Sequence, residues 1–220
     1  MKNLTKNLIM AALVLAGCSQ KPLSYTDYVD TKIGTGGHGH VFVGANVPFG
    51  LVQLGPTSIP EQWDWCSGYH DSDSTVIGFS HTHLSGTGIG DLFDITVMPV
   101  TRADLTYARG KENDPESGLW SYADRTKEIA TPGYYSVPLT RYGITAELTA
   151  TNRVGMHRYT FPASDEAGIV IDLMNGLAAD GENIAALTEY NAEKNKNFSS
   201  ISKIFVFLSL VAVIVCAIDE

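Results

Sequence analysis

The chain has 220 residues, 44% of them hydrophobic and 18% charged. That is enough for one ordinary domain with a buried core, and the composition is not that of a disordered chain. With 24 acidic and 15 basic side chains the formal charge is −9. This acidity, without any cluster of Lys and Arg, speaks against nucleic-acid binding, which requires neutralisation of phosphates.

The chain opens "MKNLTKNLIMAALVLAGCSQ". Lys2 and Lys6 precede an apolar run from Leu8 to Ala16, and small residues follow, as in a secretory signal. Cys18 comes directly after Leu15-Ala16-Gly17, and this resembles a bacterial lipoprotein signal. The resemblance implies that residues 1–17 are removed, that Cys18 carries the lipid, and that residues 18–24 form a tether. The protein is then exported and anchored to a membrane, in the periplasm or at the cell surface. An ordinary signal peptide with an incidental cysteine is the alternative.

A short helix is expected in "YTDYVDTKIG", with Thr26 as cap and Gly34 as stop. Short runs rich in Val, Ile, Thr, Tyr and Phe follow, separated by Gly, Pro, Asn and Asp: "GHVFVGAN", "VPFGLVQLGP", "DSTVIGFSHT", "DLFDITVMPV", "GYYSVPLTRYG", "ITAELTATNRV", "GMHRYTFP" and "AGIVIDLMNG". In "ITAELTAT", Ile144, Ala146, Leu148 and Ala150 alternate with Thr145, Glu147, Thr149 and Thr151, as on a half-buried strand. The pattern predicts an all-β antiparallel sandwich over residues 25–190. "ARGKENDPESGLWSYADRTKEIATPGYYSV" reads as a charged loop or long hairpin connection, with Trp120 as a local packing anchor. Met98-Pro99 reads as a strand end, where Pro is tolerated. Residues 191–220 break the pattern, because Ile204–Ile218 is apolar but for Ser209. A membrane helix, for which this run is short, a buried strand pair, and a tail foreign to the domain through a shifted or interrupted reading frame are the open readings.

Three clusters hold the chemistry. "GGHGH", Gly36–His40, lacks the Gly-Lys-Ser/Thr ending of a phosphate loop. "WDWCSGYHDSDS" mixes aromatic rings with carboxylates, and "GFSHTHLSGTGIGD" mixes histidines with hydroxyls and glycines. The pairs His38/His40 and His81/His83 each present two imidazoles together if they lie on strands, and Asp91 is a conceivable further metal ligand. The plainer reading has these histidines bonding backbone and hydroxyls around turns. Trp63, Trp65, Tyr69, Asp64, His70, His81, His83 and Asp91 together also make a sugar-binding inventory, with aromatic faces beside fixed polar groups. Cys66 reads as a small buried hydrophobe or a pocket residue. A Cys66–Cys216 disulfide is permitted by the compartment but does not follow from sequence. Asp71 and Asp73 read as turn residues, Asp94 as a strand residue, and His157 as a hydrogen-bonded structural residue.

"IGTGGHGHVFVGANVPFGLVQLGP", "WDWCSGYHDSDSTVIGFSHTHLSGTGIGDLFDITVMP" and "TPGYYSVPLTRYGITAELTATNRVGMHRYTFP" together closely resemble the N-terminal domain of glycoside hydrolase family 92, from about Tyr25 to Asp180. The resemblance implies a calcium-dependent, inverting exo-α-mannosidase acting on mannose-containing glycans. It implies a β-sandwich packed against a much larger (α/α)₆ barrel, with the active site between them. Both catalytic carboxylates and most calcium ligands then belong to the barrel, so neither a catalytic residue nor a metal ligand is assigned here. The resemblance places Trp63 in the leaving-group sugar subsite, with Asp64, Cys66, Tyr69, His81, His83 and the glycine-rich turn shaping the pocket or the domain interface. The barrel and the last strands of the sandwich have no counterpart in these residues, so the sequence reads as an incomplete domain, inactive alone. A free-standing carbohydrate-binding lipoprotein is the alternative.

Overall fold

A computed structural model describes residues 23–102, 110, 114, 117–172 and the backbone of 214–218. The signal segment, Cys18, most of the tether, residues 173–190 and the rest of the tail lie outside the described residues. Among the described residues no helix is long and apolar enough to cross a membrane.

The fold is all-β. Strands β1 (Ala45–Asn46), β2 (Gln53–Thr57), β3 (Thr75–Val76), β4 (Gly78–Ser80) and β5 (Thr96–Val100) come first. Then follow β6 (Ser121–Tyr122), β7 (Ile129–Thr131), β8 (Tyr134–Leu139), β9 (Ile144–Ala150), β10 (Gly155–Thr160), β11 (Gly168–Asp172) and β12 (Ile214–Ile218). One sheet has the order β1-β2-β4-β5-β11, a second β12-β10-β9-β8-β7, and β3 pairs with β6 in a small ribbon. All pairs are antiparallel except β10 with β12, which is parallel. The apolar run near the C-terminus thus contributes an edge strand over Ile214–Ile218.

The alternation in β9 is the one the sequence shows: Ile144, Ala146, Leu148 and Ala150 are buried while Thr149 is exposed. These side chains meet Leu54, Phe79 and Val97 of the first sheet in one core with Tyr135, Val137 and Tyr159. A two-residue Pro132-Gly133 turn joins β7 to β8, with Thr131 paired to Tyr134 and Gly133 at φ 77°. Pro presets the first central φ and Gly supplies the positive second one.

Several expectations are corrected. The helix is a single 3₁₀ turn, Tyr25–Tyr28, capped by Ser24 rather than Thr26. The Ser24 side chain accepts from the backbone N–H of Thr26, and the Asp27 carboxylate accepts from the Ser24 backbone N–H at 2.6 Å; the turn ends at Val29, whose N–H donates to the Thr26 carbonyl, well before Gly34. The charged connection is not all loop, since it forms β6, a 3₁₀ turn at Arg125–Lys127 and β7. Pro99 does not end its strand. It lies inside β5 opposite Ile169 of β11, and β4 reaches β5 only at Phe79–Val97. The missing N–H of Pro99 therefore leaves no ladder bond unmade on the β4 side.

A buried carboxylate joins the layers. The Glu128 side chain is fully buried and accepts from Lys32 Nζ at 2.6 Å, Tyr135 O–H at 2.7 Å, Tyr69 O–H at 3.2 Å and the Arg125 guanidinium. Arg125 also donates to the Asp73 carbonyl and lies 4.3 Å from the Tyr69 ring centroid. Burial opposes ionisation of Glu128, but Arg125 first, then Lys32 and Tyr135, hold its carboxyl below the usual range. Removing one partner of such a group leaves buried charge uncompensated. Glu128→Ala should therefore lower the unfolding free energy by about 3 kcal/mol in urea denaturation.

Candidate functional site

Three loops meet beside the sandwich. The first runs from Gly34 to His40. Gly34 takes φ 84°, and a Cβ at Gly39 would overlap the Gly34 carbonyl, so the chain folds back tightly here. His40 itself lies in the left-handed region at φ 54°, a rare place for a residue with a side chain. The second loop is the 3₁₀ turn Trp63–Ser67, ended by Gly68 at φ 81°. The third is the glycine turn after His83. The Gly86 N–H donates to the His40 carbonyl at 2.6 Å, and the Gly88 carbonyl accepts from Trp63 Nε1 at 2.6 Å.

At their junction Asp64 Oδ1 accepts from His38 Nδ1 at 2.7 Å and from His40 Nε2 at 3.0 Å. A carboxylate can only accept, so both nitrogens carry the proton. The hydrogen bond from His38 is the main influence holding the Asp64 carboxyl below its ordinary range. Trp63 stands edge-on to His40, with ring centroids 4.3 Å apart, and remains 60% exposed. An exposed indole with its N–H already tied down offers a fixed apolar face.

The residues singled out from sequence divide into two groups. Trp63 and Asp64 are at this junction. Cys66 is a buried free thiol whose pKa burial raises, and Tyr69 is buried with its hydroxyl on Glu128. His81 and His83 are buried in the domain interior, not displayed as a pair on a strand, because β4 ends at Ser80. His81 faces His157 of β10, whereas His83 stacks on Phe42 at 5.0 Å. The glycine turn that follows them, and not their imidazoles, reaches the junction. Trp65 stacks on His70 and donates to Asp73 at 2.7 Å. Asp91 is exposed and accepts from the Leu92 N–H, and among the described residues it joins no group of three metal-ligating side chains. Asp94 precedes β5 and accepts from the Thr82 hydroxyl. Trp120 is buried against Tyr122, with Arg141 near its ring, as a packing anchor. The convergence of His38 and His40 on Asp64 has no local sequence signal, since a long stretch of chain separates them.

The description "Glycosyl hydrolase family 92 N-terminal domain" matches residues 28–203, past Asp180, where the motif resemblance stops. The family GH92 α-mannosidase BT3965 of Bacteroides thetaiotaomicron, solved with mannoimidazole, is 45% identical with a TM-score of 0.66, covering 69% of this chain and 20% of that one. The GH92 glycosyl hydrolase ccman5 is 31% identical with a TM-score of 0.59, over 70% of this chain and 21% of its own. An uncharacterised secreted glycosidase of Arthroderma benhamiae is 31% identical over 157 residues, covering 70% of this chain. The present chain spans 20% of that relative's length.

The buried histidines fix a proton order. The Ile95 carbonyl can only accept, so His81 Nδ1 donates to it at 2.7 Å and His81 Nε2 is left to accept. His157 Nε2 therefore donates to His81 at 3.1 Å, and Tyr159 O–H donates to His157 Nδ1 at 2.7 Å. Burial pushes His157 down to about 3 and His83 down to about 4, and lowers His81 as well. An unfolded chain takes up these protons near pH 6.5 while the folded one does not. Their stabilising contribution is complete above about pH 6.5 and declines as pH falls toward the folded values. The urea midpoint should drop between pH 6.5 and pH 5, ahead of most carboxylate titration; a flat profile in that window contradicts neutral burial.

Proposed function

The chain belongs to the family of glycosyl hydrolase family 92 N-terminal domains, and on that premise we propose that it is the pocket-contributing domain of an exported α-mannosidase. The substrate class is glycans ending in α-linked mannose. The observation that carries this reading is Trp63: largely exposed, yet fixed by Gly88 and His40. Pinned exposed aromatics suit the C–H face of a sugar, and Asp64 beside it suits hydroxyls.

Inverting glycoside hydrolysis needs one carboxylic acid to protonate the leaving oxygen and one carboxylate to activate water, about 6.5–9.5 Å apart. We assign neither role to the described residues. The buried carboxylate of Glu128 is engaged by four partners, and Asp64 is engaged by two imidazoles. The acid, the base and the barrel that carries them lie, in this reading, outside these 220 residues. Here Trp63 orients substrate and takes no part in proton transfer. Calcium is expected of the parent enzyme, but the histidine–aspartate group does not fit it, because calcium takes six to eight oxygens. Export through residues 1–17 and lipid attachment at Cys18 complete the proposal, and the secreted fungal relative supports export.

The test is a chimaera carrying residues 24–172 in place of the matching domain of the 45%-identical mannosidase. It should release mannose from α-mannosides, and Trp63→Ala in it should lower kcat/KM at least about tenfold, the size of one lost apolar subsite contact. The 220-residue chain alone should release none. A folded but inactive chimaera, or mannose release by the chain alone, would overturn the assignment.

A further inference from the structure

We infer that His38 Nδ1, His40 Nε2 and an Asp64 carboxylate oxygen form a binding site for a divalent transition-metal ion of the zinc class. The inference is independent of the sugar reading, because it rests only on donor chemistry and placement. Among the described residues, these three are the one group of His, Cys, Asp or Glu side chains whose donor atoms all lie within 4.8 Å of one another.

The donor set selects the ion. Two imidazole nitrogens and one carboxylate oxygen suit zinc and its neighbours, which accept mixed N and O ligands. Donors each about 2.1 Å from a tetrahedral ion are about 3.4 Å apart. The two pairs through Asp64, at 2.7 and 3.0 Å, need to open by less than an ångström for the ion to replace the shared hydrogens, and the two imidazole nitrogens lie within 4.8 Å of each other. Each ring then moves its proton to its other nitrogen and offers a lone pair. The His38 side chain is 78% exposed, so the position facing it is open to solvent and an ion can enter without unfolding.

Placement supports the same conclusion. An ion pair with one exposed partner, as His38 is here, contributes little to stability. Yet the backbone holds His40 in a left-handed conformation, with Gly86 and Gly88 packed against it. Strain of that kind persists where the surroundings over-determine it. Two imidazoles aimed at a single carboxylate oxygen are more than one ion pair requires.

Zinc is titrated calorimetrically into the chelator-stripped chain at neutral pH, with calcium as the comparison ion. The expected result is one site of micromolar or tighter Kd that millimolar calcium does not displace. His38→Ala alters an exposed side chain and should keep the fold; it should weaken zinc binding at least tenfold, as should Asp64→Asn. Zinc should raise the melting temperature of the parent chain, and that of either variant by clearly less. Absence of saturable binding, or zinc binding unchanged in both variants and therefore located elsewhere, would overturn the site.

Discussion

The carboxylate of Glu128 ties four parts of this molecule together. The side chain is fully buried, so it must be paired; Lys32 and Tyr69 come from far along the chain, Arg125 and Tyr135 from nearby. Lys32 brings the N-terminal loop, Tyr69 the aromatic loop, Tyr135 the second sheet, and Arg125 the connection before β7. Arg125 then reaches the Asp73 carbonyl, while the Asp73 side chain receives the Trp65 indole and Thr75. One charge thereby fixes both ends of the segment from Trp65 to Thr75 against the sandwich. The candidate site begins two residues before that segment, so Trp63 and Asp64 inherit their position from it.

The interior is polar in places where an apolar core would be simpler. His81, His83 and His157 are buried, and a hydroxyl chain of Thr57, Ser80 and Thr96 crosses β2, β4 and β5 at 2.6 and 2.7 Å. Satisfied networks of this kind specify one arrangement, because any register slip strands several buried groups at once. His157 on β10 reaches His81, which follows β4, so a polar contact as well as apolar packing joins the sheets.

The sandwich was legible because strand signals are local. The period of two in Ile144–Ala150 is written within a few residues, and the structure follows it. Where the reading failed, the determinant was distant or subtle. β6 and β7 lie in a charged stretch without alternation and owe their pairing to β3 and β8. His81 and His83 have both a pocket reading and a plainer hydrogen-bonding one in sequence; their buried rings are each held by a backbone carbonyl, as in the plainer one. His38 and His40 do not share a strand face; a glycine-dependent fold-back and a strained φ bring both onto Asp64. No periodicity rule encodes that meeting.

The same contrast separates what Trp63 and Asp64 can do. Trp63 works by shape: its indole N–H is spent on Gly88, which leaves only a face to offer. Asp64 works by charge and is already held by two imidazoles, so a sugar hydroxyl must compete with them or use the second carboxylate oxygen. A metal ion faces no such competition, since it would take the place of the protons that now bridge the three side chains. The junction therefore offers two adjacent but chemically distinct surfaces, one apolar and one ligating. The glycine turn at Gly86–Gly88 touches both, through His40 and through Trp63, and so sets the spacing between them.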